Sequence, residues 1–122
     1  MEWNLSGDRP IYLQLCEQIT LYLVSGVWAP GSRLPSVREL AVDAGVNPNT
    51  MQRALAQLES EGLVITHRTA GRVVTEDAAV LERVRERLAQ TKIDEYLSGM
   101  ATLGYTAADA IALLQRKELL NG

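Results

Sequence analysis

Asn49, Gln52 and Arg53 follow an Asn47-Pro48 pair, and all three carry side chains able to form paired hydrogen bonds. An amide can meet adenine N6 and N7, and a guanidinium can meet guanine O6 and N7. Asn47, Asn49, Thr50, Gln52 and Arg53 therefore form a candidate DNA-reading segment, with Arg33, Ser36 and Arg38 before it and Arg68, Gly71 and Arg72 after it. Catalysis has no comparable set. His67 is the only histidine and Cys16 the only cysteine, so no nucleophile, base and orienting group can be assembled. There is no glycine-rich phosphate loop and no familiar zinc spacing, and the acids Glu59 and Glu61 fall at a helix end where solvation explains them. We expect no enzyme activity, no metal and no cofactor.

The elements that position these residues run from Leu34 to Thr75. Ser36 can cap a helix with its hydroxyl on the Glu39 amide while the Glu39 carboxylate reaches back to the Ser36 amide. Gly45 ends that helix, since glycine tolerates positive φ. Asn47 caps the next, with Pro48 at the first helical position where a missing N–H costs nothing. This second helix is expected to reach Gly62. Met51, Ala54, Leu55 and Leu58 fall at three- and four-residue spacing and define its buried face, leaving Asn49, Gln52 and Arg53 on another. Two short helices about a tight turn are the pattern of a helix-turn-helix, whose second helix enters the major groove by its N-terminal end. LVITH and RVVT then flank Arg68-Thr69-Ala70-Gly71, which predicts a β-hairpin with a cationic tip, a wing suited to phosphates or a narrow minor groove.

Ahead of this unit, residues 1–10 read as an irregular lead-in in which Trp3 and Leu5 cover an apolar seam and Pro10 opens a helix. Ile11, Leu15, Ile19 and Leu23 recur every four residues and predict a helix from Ile11 to about Ser25, stopped by Gly26. Cys16 fits there as a small apolar core residue. VWAPGSRLP is expected to be a turn, with Trp28 anchored on the first helix. Arg33 in that turn is either a solvated charge or a phosphate clamp.

Past Thr75 the pattern is helical. Leu81, Val84 and Leu88 make one apolar stripe, and Ile93, Tyr96, Leu97, Met100 and Leu103 a second. The cluster from Glu82 to Arg87 reads as a solvated face with intrahelical ion pairs. Gly104 breaks the helix, and Thr106 with Asp109 caps a last one running to about Leu119. So little sequence cannot bury its own stripe, and a second copy of the chain is the natural cover. A two-fold dimer would set two reading helices one duplex turn apart, matching a palindromic operator. The alternative is that the stripe folds back on the winged domain. Tyr96, Met100, Leu103 and Tyr105 can line an inter-subunit pocket for an unknown small-molecule effector, though such a stripe is more often dimer core.

The fold class expected is therefore mostly α with a small β-hairpin: a winged helix-turn-helix domain over residues 1–75 and a two-helix dimerisation region over residues 76–122. An apolar fraction of 47% with 5% aromatic residues and no Phe favours a helical core of Leu, Val, Ile and Ala. No apolar run reaches the roughly 20 residues that span a bilayer, and MEWNLSGDRP has no secretory pattern. We expect a cytoplasmic location and no membrane partner. The formal net charge of −3 argues against a nucleic-acid partner, since phosphate contacts usually come with a basic domain. Distribution outweighs the sum, because arginines 33, 38, 53, 68 and 72 cluster in or beside the reading unit.

PGSRLPSVRELAVDAGVNPNTMQRALAQLESEGLVITHRTAGRVV resembles the N-terminal DNA-binding domain of the GntR family of bacterial transcription regulators, with LPSVRELA, VNPNT and LESEGL at the family's spacing. The likeness covers about Pro10 to Thr75, and the short tail ending LGYTAADAIALL is similar to the YtrA subfamily. The resemblance implies a homodimeric repressor on an inverted repeat, often regulating transporter genes near its own. It also implies that Arg38 is the DNA-contacting arginine of the second helix. Asn47, Asn49, Thr50, Gln52 and Arg53 would then begin the recognition helix, and Arg68 and Gly71 would form the wing tip. Thr69 stands where many members have a second glycine, and Pro48 where some have an arginine.

Plainer roles exist for several of these residues. Asn47 and Ser36 cap helices with or without DNA. Arg53 can pair with Glu59 or with an acid of the preceding helix such as Asp43, and His67 can be an ordinary strand residue. A winged-helix module that binds a polypeptide is the alternative function.

Overall fold

A computed structural model of the chain describes residues 1–121. The order is α1 (Ile11–Val24), α2 (Val37–Ala44), α3 (Pro48–Ser60), β1 (Val64–His67), β2 (Gly71–Val74), α4 (Ala78–Thr102) and α5 (Ala107–Asn121). This is a winged helix-turn-helix followed by helices. The chain packs as two compact units, Met1–Val84 and the remainder from Arg85. No single helix among the described residues is long and apolar enough to cross a membrane.

In the first unit α1 and α2 both pack on α3, and α3 packs on β1. The four-residue repeat of α1 puts Leu15, Ile19 and Leu23 inside, and the three- and four-residue spacing of α3 does the same for Met51, Ala54, Leu55 and Leu58. Leu34, Leu40, Ala41, Leu63, Val64, Val73, Val74 and Val84 complete this aliphatic core. Truncating a leucine of such a core costs about 2–5 kcal/mol.

Chain punctuation follows local chemistry. Gly45 sits at φ +70, and its N–H and that of Val46 return to Val42 and Ala41 carbonyls, closing α2. α1 stops at Val24 and α3 at Ser60, slightly short of the expected Ser25 and Gly62. In α1, Gln14 is 1% exposed, which apolar periodicity gives no reason to expect. Its amide serves the lead-in: Nε2 donates to the Ser6 and Arg9 carbonyls at 2.8 Å each, and Oε1 accepts from Ser6 N at 2.8 Å. Trp3 and Trp28 both meet Tyr22 edge-on, each with ring centroids 5.8 Å away.

The hairpin is antiparallel, pairing Val64 with Val74 and closing at His67 and Gly71. The stretch expected to be only a turn adds a third edge. Arg33 bridges Val73, with Leu34 N donating to Arg72 O, Val74 N to Ser32 O, and Gly31 N to Val74 O, all at 2.9 Å. Backbone polar groups beside an open strand edge pair whatever side chains they carry, so a Pro-Gly segment can complete a sheet.

The second unit is helical. Tyr105 N returns to Met100 O at 3.0 Å to close α4, and Thr106 and Asp109 form the reciprocal cap of α5, with backbone-to-side-chain bonds of 2.9 and 3.1 Å. Ala110 is fully buried there.

Candidate nucleic-acid interface

α2 is capped at its N-terminus by Ser36, whose Oγ accepts from Glu39 N at 3.1 Å. The Glu39 carboxylate takes the Ser36 hydroxyl, also at 3.1 Å, rather than the expected Ser36 amide. Ser36 is thus employed as a cap. Arg38, one position into α2, is exposed and lines a shallow hollow with Glu39, Val42 and Asp43. Asp43 is already engaged by Trp3 Nε1 at 2.7 Å and by the N-terminal ammonium at 3.4 Å. The Trp3 hydrogen bond, with that ammonium, holds its carboxyl below the usual aspartate range.

α3 begins at Asn47, whose side chain accepts from Asn49 N at 2.7 Å, with Pro48 next. Capping uses the Asn47 side chain and leaves those of Asn49 and Gln52 exposed, with Thr50 half-buried. Arg53 pairs with neither Glu59 nor Asp43. Its Cζ lies 3.6 Å from the ring centroid of Tyr12, a residue sequence reasoning passed over because the first turn of α1 carries no motif. Pro10, Ile11, Tyr12, Asn49, Thr50 and Arg53 together line one hollow where the start of α1 meets the start of α3.

The wing tip is Arg68, Thr69 and Ala70, with Arg68 exposed. Gly71 has φ +75, a left-handed conformation glycine adopts without strain, and a Cβ there would stand 4.0 Å from Arg33 Nε. Arg33 therefore lies beside the wing rather than out in a loop. Arg72 turns the other way. Its Nε is 3.4 Å from Glu59 Oε1 on α3, and the same carboxylate oxygen receives the hydroxyl of Thr66, the cross-strand partner of Arg72.

The charges divide by use. Arg9 is bound by Glu17 at 2.7 and 3.0 Å, and Arg72 faces Glu59. Among the described residues, no carboxylate pairs with Arg33, Arg38, Arg53 or Arg68. In and beside the two helices and the wing, these four guanidiniums remain available on a protein whose net charge is −3.

In the second stripe, Ile93 is 49% exposed, Tyr96 38% and Leu103 73%, with Leu97 and Met100 half-buried. Tyr105, Ile111 and Leu114 are also exposed, the last two on α5, the second helix of the expected dimerisation region. In the first stripe Leu81 and Leu88 are half-buried, whereas Val84, expected on the dimer stripe, is already buried. Cys16 Sγ lies 3.5 Å from Ala54 O, and burial, followed by Glu61 and Glu17, pushes its thiol up to about 11.

A family model, that of the bacterial regulatory proteins of the gntR family, matches residues 11–74. The HTH-type transcriptional repressor YtrA of Bacillus subtilis is 37% identical over 100 residues, 77% of each chain. A GntR family transcriptional regulator from Listeria monocytogenes superposes with a TM-score of 0.82 at 35% identity, over 92% of this chain and 98% of its own. AraR(DBD), solved in complex with operator ORX1, superposes with a TM-score of 0.56 at 28% identity, over 62% of this chain and 96% of its own.

Proposed function

The chain belongs to the gntR family of bacterial regulatory proteins and is a DNA-binding transcription regulator, and from that premise we propose that it works as a homodimeric repressor on an inverted-repeat operator. The observation that carries this reading is that Arg38 on α2, Arg53 on α3, Arg68 at the wing tip and Arg33 in the bridge beside the wing have no carboxylate partner among the described residues. Arginines already saturated by acids would have nothing to offer a phosphate.

In this reading Asn49, Gln52 and Arg53 meet base edges in the major groove, and Thr50 and Arg38 meet the flanking backbone. Arg33 and Arg68 act together at the wing, with Gly71 allowing close approach. Ser36, Asn47 and Arg72 contribute by holding the elements in place. The exposed apolar residues of α4 and α5 cover one another across the two-fold axis, which supports reading helices about 34–36 Å apart, one turn of duplex. We assign Tyr96, Met100, Leu103 and Tyr105 to that dimer core rather than to an effector pocket. Repression is supported by the name of the Bacillus subtilis relative, and operator binding by the AraR(DBD) complex. The protein would act in the cytoplasm, where the chromosome is.

Affinity for duplex DNA, measured against salt concentration, tests the proposal. About four phosphates neutralised per protomer give a log–log slope near −7 for the dimer. A flat salt response would reject it in favour of a polypeptide partner.

A further inference from the structure

Tyr12 is half-buried at the second position of α1, and the Arg53 guanidinium lies over its ring at 3.6 Å. A planar guanidinium stacked on an aromatic face keeps all its N–H donors in the free plane. A carboxylate in the same place would consume two of them. No carboxylate among the described residues competes for Arg53, and its hollow is lined on the α3 side by Asn49 and Thr50, at the end of the helix presented to DNA.

We propose that Tyr12 is a positioning residue for DNA recognition: its ring pre-orients Arg53 so that the guanidinium edge meets a pair of acceptors on the duplex without first being ordered. This rests on the DNA-binding reading above. The acceptors are either guanine O6 and N7 or two phosphate oxygens, both of which take the bidentate fork. α1, otherwise a supporting helix, thereby shares in setting affinity. Ordering a long side chain on binding weakens association, and a platform that orders it beforehand removes that loss.

The full-length protein is first used to select duplexes from a randomised pool, and the enriched duplex is the probe. Tyr12→Phe keeps the ring face and should bind within about twofold of wild type, whereas Tyr12→Leu should weaken binding about two- to fivefold per half-site. In an Arg53→Ala background, Tyr12→Leu should change nothing further. If Arg53→Ala erases preference for guanine at one position, the acceptors are on a base. If it weakens all sequences evenly and lowers the salt slope by about 1 per half-site, they are phosphates. A silent Tyr12→Leu, an equal loss in the Arg53→Ala background, or a Tyr12→Phe as weak as Tyr12→Leu would overturn the proposal, the second by showing a structural or independent role. Failure of the wild-type protein to enrich or bind any duplex would instead refute the DNA-binding reading, and this inference with it.

Discussion

Arg72 Nε stands 3.4 Å from Glu59 Oε1, buried and without a well-formed hydrogen bond, so that the second strand of the wing is tied to α3 by charge. Thr66 on the first strand ends on the same carboxylate, and one acid thereby fixes both strands relative to the reading helix.

Replacing Glu59 with Ala leaves the Arg72 charge partly buried and unmatched and takes the acceptor from Thr66, so stability should fall by roughly 1–3 kcal/mol, the range for a buried polar group left without its partner. Arg72→Met should cost less, and the double variant less than the sum. Urea midpoints of the three proteins measure this. Strict additivity would mean that the two residues do not act as a pair.

Asn47→Ala removes the acceptor for Asn49 N and should cost about 1 kcal/mol, while Asn47→Asp or Asn47→Ser should retain most of the cap. Thermal melting compares them. An Asn47→Ala protein that melts like wild type but loses DNA affinity would transfer Asn47 from capping to contact.

Charges placed on the exposed apolar residues of the second unit should separate protomers and leave the winged unit folded. Leu103→Glu with Tyr96→Glu is expected to sediment as a monomer and to bind operator about 100-fold or more weakly, because two tethered contacts become one. A wild-type protein that is monomeric at micromolar concentration would remove the basis of this expectation.

Cys16 should be a slow nucleophile. With its thiol raised from 9.0 to about 11, the thiolate fraction at pH 8 is about 100-fold below that of the unfolded chain, and alkylation should accelerate by that order when urea unfolds the protein. The sign for stability follows from the same shift. The folded state holds the proton more tightly, so its contribution is intact below pH 9 and is lost as pH rises from 9 towards 11. A labelling rate unaffected by unfolding would contradict the burial of this side chain.

What the sequence discloses is what local chemistry decides. The caps at Ser36, Asn47 and Thr106, the left-handed Gly45 and the buried face of α3 all follow from residues within four positions of one another. The long-range partners do not. Arg53 has acids available in sequence, yet it stacks on Tyr12 at the start of α1. The Arg33 bridge to Val73 is invisible because backbone pairing along a sheet edge makes no demand on side-chain pattern. Arg72 looked like a wing cation because the two-residue alternation of a hairpin does not say how far a side chain can bend back to α3.

The Gln14 amide offers the lead-in one donor group and one acceptor, both of which Ser6 uses through its own N–H and C=O. It imitates the neighbouring chain that a coil segment lacks, as if a single peptide unit had been borrowed from a sheet. Ser6 should accordingly exchange its amide hydrogen at a rate typical of the helix interior, and position 14 should accept neither glutamate, which lacks the donor, nor leucine, which lacks both groups.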